Sequence, residues 1–172
     1  KYHALMQEAS KKLMIKEHTV LDKEGKPHKL FGPVECKGIV GSDGRFYVLD
    51  LIRTTPRDAN YPDDPTALIR PELIKSFVRY KREQWEKEKK DDKKEMPPIS
   101  FNLNVLTKYK LGGTEEEQKK HYEEVKELAD YLVNIVIPQL IKDVESLECC
   151  PLDGFALTDA LYERGINKRY LG

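Results

Sequence analysis

Three features of the sequence predict an α+β fold, with a small sheet holding a central antiparallel β-hairpin packed against several α-helices. Two apolar, β-rich runs, Val34 to Gly41 and Arg45 to Ile52, meet at Ser42-Asp43-Gly44, and Asp-Gly between such runs is a strong hairpin signal. Pro71 opens a stretch with helical periodicity, its fixed φ suiting a first turn. Thr114 and Glu117 have the spacing of a capping box, and a long amphipathic stretch follows them.

Taken in order, Tyr2 to Ile15 is expected to be a helix, with Leu5, Ala9 and Leu13 on one stripe. A strand at His18 to Leu21 and a turn at Lys23 to Lys26 follow. In the central hairpin Val34, Cys36 and Val40 alternate with Ile39, and Phe46 and Val48 alternate with Tyr47, Leu49 and Leu51. Both faces are apolar, so the pair is expected inside a sheet, with Val48 and Leu49 buried on opposite sides. Pro56, Pro62 and Pro65 break periodicity over an Asp- and Pro-rich loop. On the Pro71 helix, Ile74, Phe77, Val78 and Trp85 share one face, with Trp85 as a core anchor, while Lys75, Arg79 and Arg82 share another.

The run Lys87 to Glu95 is wholly charged, which suits a frayed helix end or linker. Ile99 to Leu111 is expected to be extended and packed, ending at Gly112-Gly113. The long helix then places Tyr122, Val125, Ala129, Leu132, Val133 and Val136 on one stripe, and Pro138 should kink or break it. Asp153-Gly154 introduces a last short helix ended by Gly165. Residues 1–172 are read as one domain, with helix and hairpin sheet in 1–62, helix and charged linker in 63–98, and a helical part in 99–172.

Lysine plus arginine number 30 and aspartate plus glutamate 30, so no global basic field draws the chain to nucleic acid or anionic lipid. Binding of that kind needs a local patch. Three cysteines, two of them adjacent at Cys149 and Cys150, suit a reducing, cytoplasmic setting better than a disulfide framework. No apolar run approaches the ~20 residues that span a membrane, so no membrane insertion is expected. The absence of an initiator methionine points to a piece of a longer protein.

No Walker loop, nucleophile elbow, HExxH or paired CxxC occurs, and His3, His18, His28 and His121 lack metal-ligand spacing. No cofactor and no catalytic or metal residue is expected. Gly38, Gly41 and Gly44 form GxxGxxG rather than a dinucleotide fingerprint, and turn chemistry explains Gly44. The order strand, Asp-Gly turn, strand and Asp50 resembles the metal-binding end of a kinase-type lobe. Ile52 replaces the glycine that should follow, no His-Arg-Asp loop precedes, and Glu35 and Lys37 stand where a metal-binding asparagine is expected. Any kinase-like reading is therefore of a degenerate scaffold, not an enzyme.

The segments VECKGIVGSDGRFYVLDLIRTTPRDANY, FNLNVLTKY and PLDGFALTDALYERGINKRYLG, in this order, resemble the central (Clu) domain of the clustered mitochondria family. The resemblance runs almost throughout the chain. The hairpin is similar in Glu35, Cys36, Lys37, Gly38, Gly41, Asp43, Gly44, Arg45, Tyr47, Asp50, Arg53 and Pro56. The tail is similar in Asp153, Gly154, Arg164, Gly165, Ile166, Asn167, Arg169, Tyr170, Leu171 and Gly172. Thr55, Arg57 and Ala59 depart from the pattern, as does a shorter and more charged linker around Lys87.

The resemblance implies a large cytosolic protein that binds messenger RNAs for nuclear-encoded mitochondrial proteins and keeps mitochondria dispersed. It implies links to the ribosome or to translation initiation factors, and a tetratricopeptide array that this chain does not contain. Messenger RNA binding is expected mainly outside these residues. Glu35, Lys37, Asp43, Gly44, Arg45, Asp50 and Arg53 are read as structural signature residues, with Asp50 and Arg53 as a buried or half-buried pair. The candidate RNA contacts are Lys75, Arg79 and Arg82, diluted by Glu72, Glu83 and Glu86, and a second group of Arg164, Lys168, Arg169 and Tyr170. The leading expectation is a noncatalytic module of an RNA-binding mitochondrial distribution factor. A scaffold for translation initiation factors and a degenerate kinase-like domain are the alternatives.

Overall fold

A computed structural model of the chain describes residues 1–51, 53–88 and 95–171. It has α1 (Tyr2–Leu13), β1 (His18–Leu21), β2 (Pro27–Leu30), β3 (Lys37–Val40), β4 (Phe46–Leu49), α2 (Pro71–Glu88), α3 (Glu115–Tyr131), a π-helical turn (Leu132–Val136), α4 (Ile137–Glu145), α5 (Gly154–Glu163) and a 3-10 turn (Lys168–Leu171). The α+β class stands. The chain forms two compact units, the first comprising Lys1–Leu68 and Ser100–Lys126, the second Ile69–Ile99 and Glu127–Gly172.

In the first unit the strands form two separate antiparallel hairpins. β1 pairs with β2 in the register His18 to Leu30, a partner strand that the periodicity did not signal. β3 pairs with β4 from Lys37 opposite Leu49 to Val40 opposite Phe46. Asp43 and Gly44 close that turn, Gly44 at φ +73 and the Asp43 carboxylate accepting from Arg45 N.

The expected burial of both hairpin faces does not occur. Leu49 is 45% exposed and Val40 59%, while Val48 is half-buried, so β3–β4 is a two-stranded edge hairpin. The apolar pattern predicts a covered strand, yet no third strand flanks it among the described residues. Its contact with a helix is aromatic, the Tyr2 ring of α1 meeting Phe46 edge-on at 5.3 Å. A Cβ on Gly38 would stand 2.7 Å from that Tyr2 ring, so glycine there permits the approach. Ile52, the expected end of the second run, lies outside the described residues.

The core of this unit is built on the chain that follows α1. Ile15 bridges to Phe101, and Lys16 N and Phe101 N donate to Phe101 O and Met14 O, both at 2.9 Å. Ile15, Val20, Phe101, Leu103, Val105 and Val125 are buried. Residues 99–111 are thus packed as expected, though turns replace most of the expected extended run.

In the second unit Leu73, Ile74 and Phe77 of α2 bury one face with Leu128, Ala129, Leu132 and Leu161. Trp85 is half-buried rather than a core anchor. The capping box at the start of α3, in the first unit, forms as expected, Thr114 N donating to Glu117 and Glu117 N to Thr114. Val125, Ala129, Leu132 and Val136 follow the predicted stripe, but Tyr122 and Val133 are exposed. Pro138 neither breaks nor ends the helix. A π-helical turn precedes it, with Ile137 N donating to Leu132 O, so the widened turn absorbs the proline and rotates Val133 out of the stripe. Asp153 caps α5 through Ala156 N, and Gly165 ends it at φ +76. Ile166 N donates to Leu161 O and Gly165 N to Tyr162 O, a Schellman closure.

Candidate nucleic-acid interface

Lys75, Arg79 and Arg82 recur on one face of α2, and all three are exposed. Arg164 follows α5 and is fixed in place, its Nη2 3.0 Å from Asp143 and its Nη1 donating to Ala160 O at 3.2 Å. Gln139 and Arg164 both donate to Asp143 and hold its carboxyl below the ordinary carboxylate range. The two candidate groups converge in part. Lys75, Arg79 and Arg164 line one cavity of about 430 Å³, while Arg82, Lys168, Arg169 and Tyr170 do not border it.

The remaining wall comes from residues that sequence reasoning did not select. Ser76 and Tyr131 share a hydrogen bond at 2.9 Å, and Tyr131 is wedged between Phe77 and Tyr80, with ring centroids 5.3 and 4.9 Å away. Ile135 and Val136 of the π-helical turn also line it. A π turn is rare and recurs at functional sites, because it turns side chains out of the regular helical ladder. Pro138 was the available signal for it.

Charge in the cavity is mixed but not fully answered. Glu72 is held 3.2 Å from Arg70, whose guanidinium lies 3.7 Å over the Tyr162 ring, and Arg164 is answered by Asp143. Glu163 also lines the cavity. No ion pair reaches Lys75 or Arg79 among the described residues. The arrangement offers two uncommitted cations one helical turn apart, and a hydroxyl pair beside them. Outside the cavity, Lys168 Nζ is 5.9 Å from the Tyr162 ring, and Arg169 and Tyr170 are half-buried.

The signature residues occupy the first unit. Arg53 is buried and Asp50 is exposed, and they do not pair with each other. Arg53 donates to Leu103 O, to Glu35 at 2.6 Å and to Asn104 Oδ1 at 2.8 Å, whereas Asp50 lies 2.8 Å from Lys37. The expected pair fails because Asp50 sits at φ +58 on the rim, while Arg53 turns inward to carbonyl and amide acceptors. Burial opposes ionisation of Glu35, but the Arg53 donor and the Arg57 charge hold its carboxyl below the ordinary value. Tyr47 Oη donates to Asp43 at 2.6 Å, and Arg45 lies 3.7 Å from the same carboxylate, so this trio stabilises the turn. No group of three or more His, Cys, Asp or Glu is placed to hold a metal ion among the described residues. No helix among them is long and apolar enough to cross a membrane.

Comparison with known proteins matches residues 1–61 to the family model described as Clustered mitochondria, and residues 148–172 to the model described as Translation initiation factor eIF3 subunit 135. The chain is similar to the clustered mitochondria protein of Arabidopsis thaliana, 37% identical over 230 residues, covering 99% of this chain and 16% of that protein. It is similar to the homolog from Dictyostelium discoideum at 36% identity, covering 99% and 16%, and to the Aspergillus niger homolog at 33%, covering 98% and 17%. The chain thus spans about a sixth of the length of these curated relatives. No solved structure matches it significantly.

Proposed function

Because this chain belongs to the clustered mitochondria family, we propose that it is a noncatalytic module of a cytosolic messenger-RNA-binding protein. That protein distributes mitochondria within the cell and supports expression of nuclear-encoded mitochondrial proteins. Residues 1–172 are read as one Clu-domain fragment of it. The observation that carries the reading is the meeting of Lys75 and Arg79 with Arg164 on one cavity, two of these cations lacking ion pairs among the described residues. Cations one turn apart on a helix can meet successive phosphates of one strand, and the Ser76 and Tyr131 hydroxyls stand beside them. With its charges balanced overall, the chain by itself binds RNA weakly and without strong sequence choice, and most affinity resides elsewhere in the longer protein.

Photocrosslinking of the chain to RNA, followed by mapping of the modified peptides, tests this. Adducts are expected on peptides from α2 and from the segment around Arg164. Adducts confined to residues 1–68 would refute the assignment. A second reading, a scaffold for translation initiation factors, is favoured by the match of residues 148–172 to the initiation-factor model. A scaffold keeps its partner after nuclease treatment, whereas an RNA-bridged complex falls apart.

A further inference from the structure

The first unit holds a cavity of about 730 Å³ that shares no residue with the cleft described above. Glu35, Lys37, Asp50, Arg53 and Arg57 surround it, so four of the seven signature residues meet there. Pro65 and Leu68 supply an apolar wall, and Leu68 is fixed by an antiparallel bridge to Arg57. A concave site of a few hundred cubic ångströms with an apolar wall and a few convergent polar groups is the usual form of a ligand site.

The charges in this cavity are unequal. Glu35 is committed to Arg53 at 2.6 Å and Asp50 to Lys37 at 2.8 Å. Arg57 has no carboxylate within ion-pair distance among the described residues. Its Nη1 donates to Leu106 O at 2.8 Å and its Nε–H is buried without an acceptor, while among the described residues no hydrogen bond leaves Nη2. Three cations face two carboxylates, which leaves one positive charge beside an apolar wall. We propose that this cavity docks a short extended segment of a protein partner, one acidic side chain meeting Arg57 and an adjacent aliphatic side chain lying on Pro65 and Leu68.

The lining argues against a nucleotide or RNA strand. Among the described residues no aromatic ring borders the cavity, so no base can stack there, and a single surplus positive charge cannot follow the successive phosphates of a strand. A single carboxylate matches the single surplus charge, and a guanidinium presents its free nitrogen to that group with directional donors.

The test is fluorescence anisotropy of a labelled, acetylated and amidated peptide, Ala-Leu-Glu-Leu-Ala, titrated with the 172-residue chain. Saturable binding is expected, about tenfold tighter than for the peptide with Gln in place of Glu. Arg57→Gln should erase that difference. Thr66 is exposed at the cavity edge, so Thr66→Trp should weaken binding of the Glu peptide while the chain still unfolds cooperatively, since it loses one exposed hydroxyl bond to Asp64 and keeps the backbone one. This second variant decides the matter if Arg57→Gln, which loses the bond to Leu106, fails to fold. Absence of saturable binding, equal binding of the two peptides, or unchanged binding in Thr66→Trp would each overturn the proposal. So would a single-stranded RNA whose binding depends on Arg57 when the peptide does not bind.

Discussion

Arg53 Nη2 donates to the side-chain oxygen of Asn104 at 2.8 Å, joining residues 51 apart in sequence. Asn104 is saturated by this position. Its oxygen also accepts from Val34 N at 3.2 Å, its amide nitrogen donates to Gly32 O at 3.1 Å and meets His18 Nε2, and its backbone N donates to Asn102 at 2.8 Å. One buried amide therefore ties β1, the base of the β3–β4 hairpin and the 99–111 segment together.

Asn104→Ala leaves the Val34 amide, His18 Nε2 and the Gly32 carbonyl without this partner and takes one acceptor from Arg53, which keeps Glu35 and Leu103 O. Removing a buried partner costs the desolvation of each group left alone, so a loss on the order of 2–4 kcal/mol is expected in denaturant unfolding. Asp50→Asn should leave the unfolding midpoint at its wild-type value, because the Asp50 pair with Lys37 is exposed. The reverse ranking would mean that the Asp50 pair, not the Asn104 network, organises the unit.

Stability should fall as the solution is acidified through the histidine range. Burial, the largest cause, lowers the pKa of His18 to about 4 from an ordinary 6.5, and burial lowers that of His121 in the same direction. The folded chain therefore holds His18 neutral while the unfolded chain takes up a proton. The contribution is complete above pH 6.5 and is lost between 6.5 and about 4, on the order of 3 kcal/mol for His18. Urea unfolding at a series of pH values measures it, and a flat profile over that window would contradict the buried neutral assignment.

Gly165→Ala should destabilise much more than Gly25→Ala. Both glycines have positive φ, but a Cβ on Gly165 would lie 2.4 Å from Leu73 N, whereas one on Gly25 meets nothing within 4 Å. About 1 kcal/mol is expected for Gly25 and roughly 2–4 for Gly165 in thermal unfolding. Equal losses would mean that α2 and the end of α5 yield to the added methyl.

What the sequence disclosed followed local chemistry. Asp43-Gly44, Thr114 with Glu117, Asp153 and Gly165 each act within a few residues, and each does what its type requires. Partnerships across the chain were hidden. Asp50 and Arg53 are three apart and opposite in charge, yet Lys37 and Glu35 claim them, with Asp50 in a left-handed conformation at φ +58 and exposed while Arg53 is buried. β2 is four residues headed by Pro27, too short to announce itself as the partner of β1. The basic face of α2 was legible from spacing. Its meeting with Arg164 depends on tertiary packing and on a π turn that periodicity averages away.

The most direct measurement is the salt dependence of single-stranded RNA binding by the chain and by a combined Lys75→Glu, Arg79→Glu, Arg82→Glu variant. A control reverses Lys11, Lys12 and Lys26, exposed lysines of the first unit. If the α2 face meets three phosphates, the logarithm of affinity should fall against that of salt with a slope of about −2 in the wild type and the control, and flatten in the α2 variant. A slope that persists in the α2 variant, or that the control abolishes equally, would contradict the assignment of this face as the RNA contact.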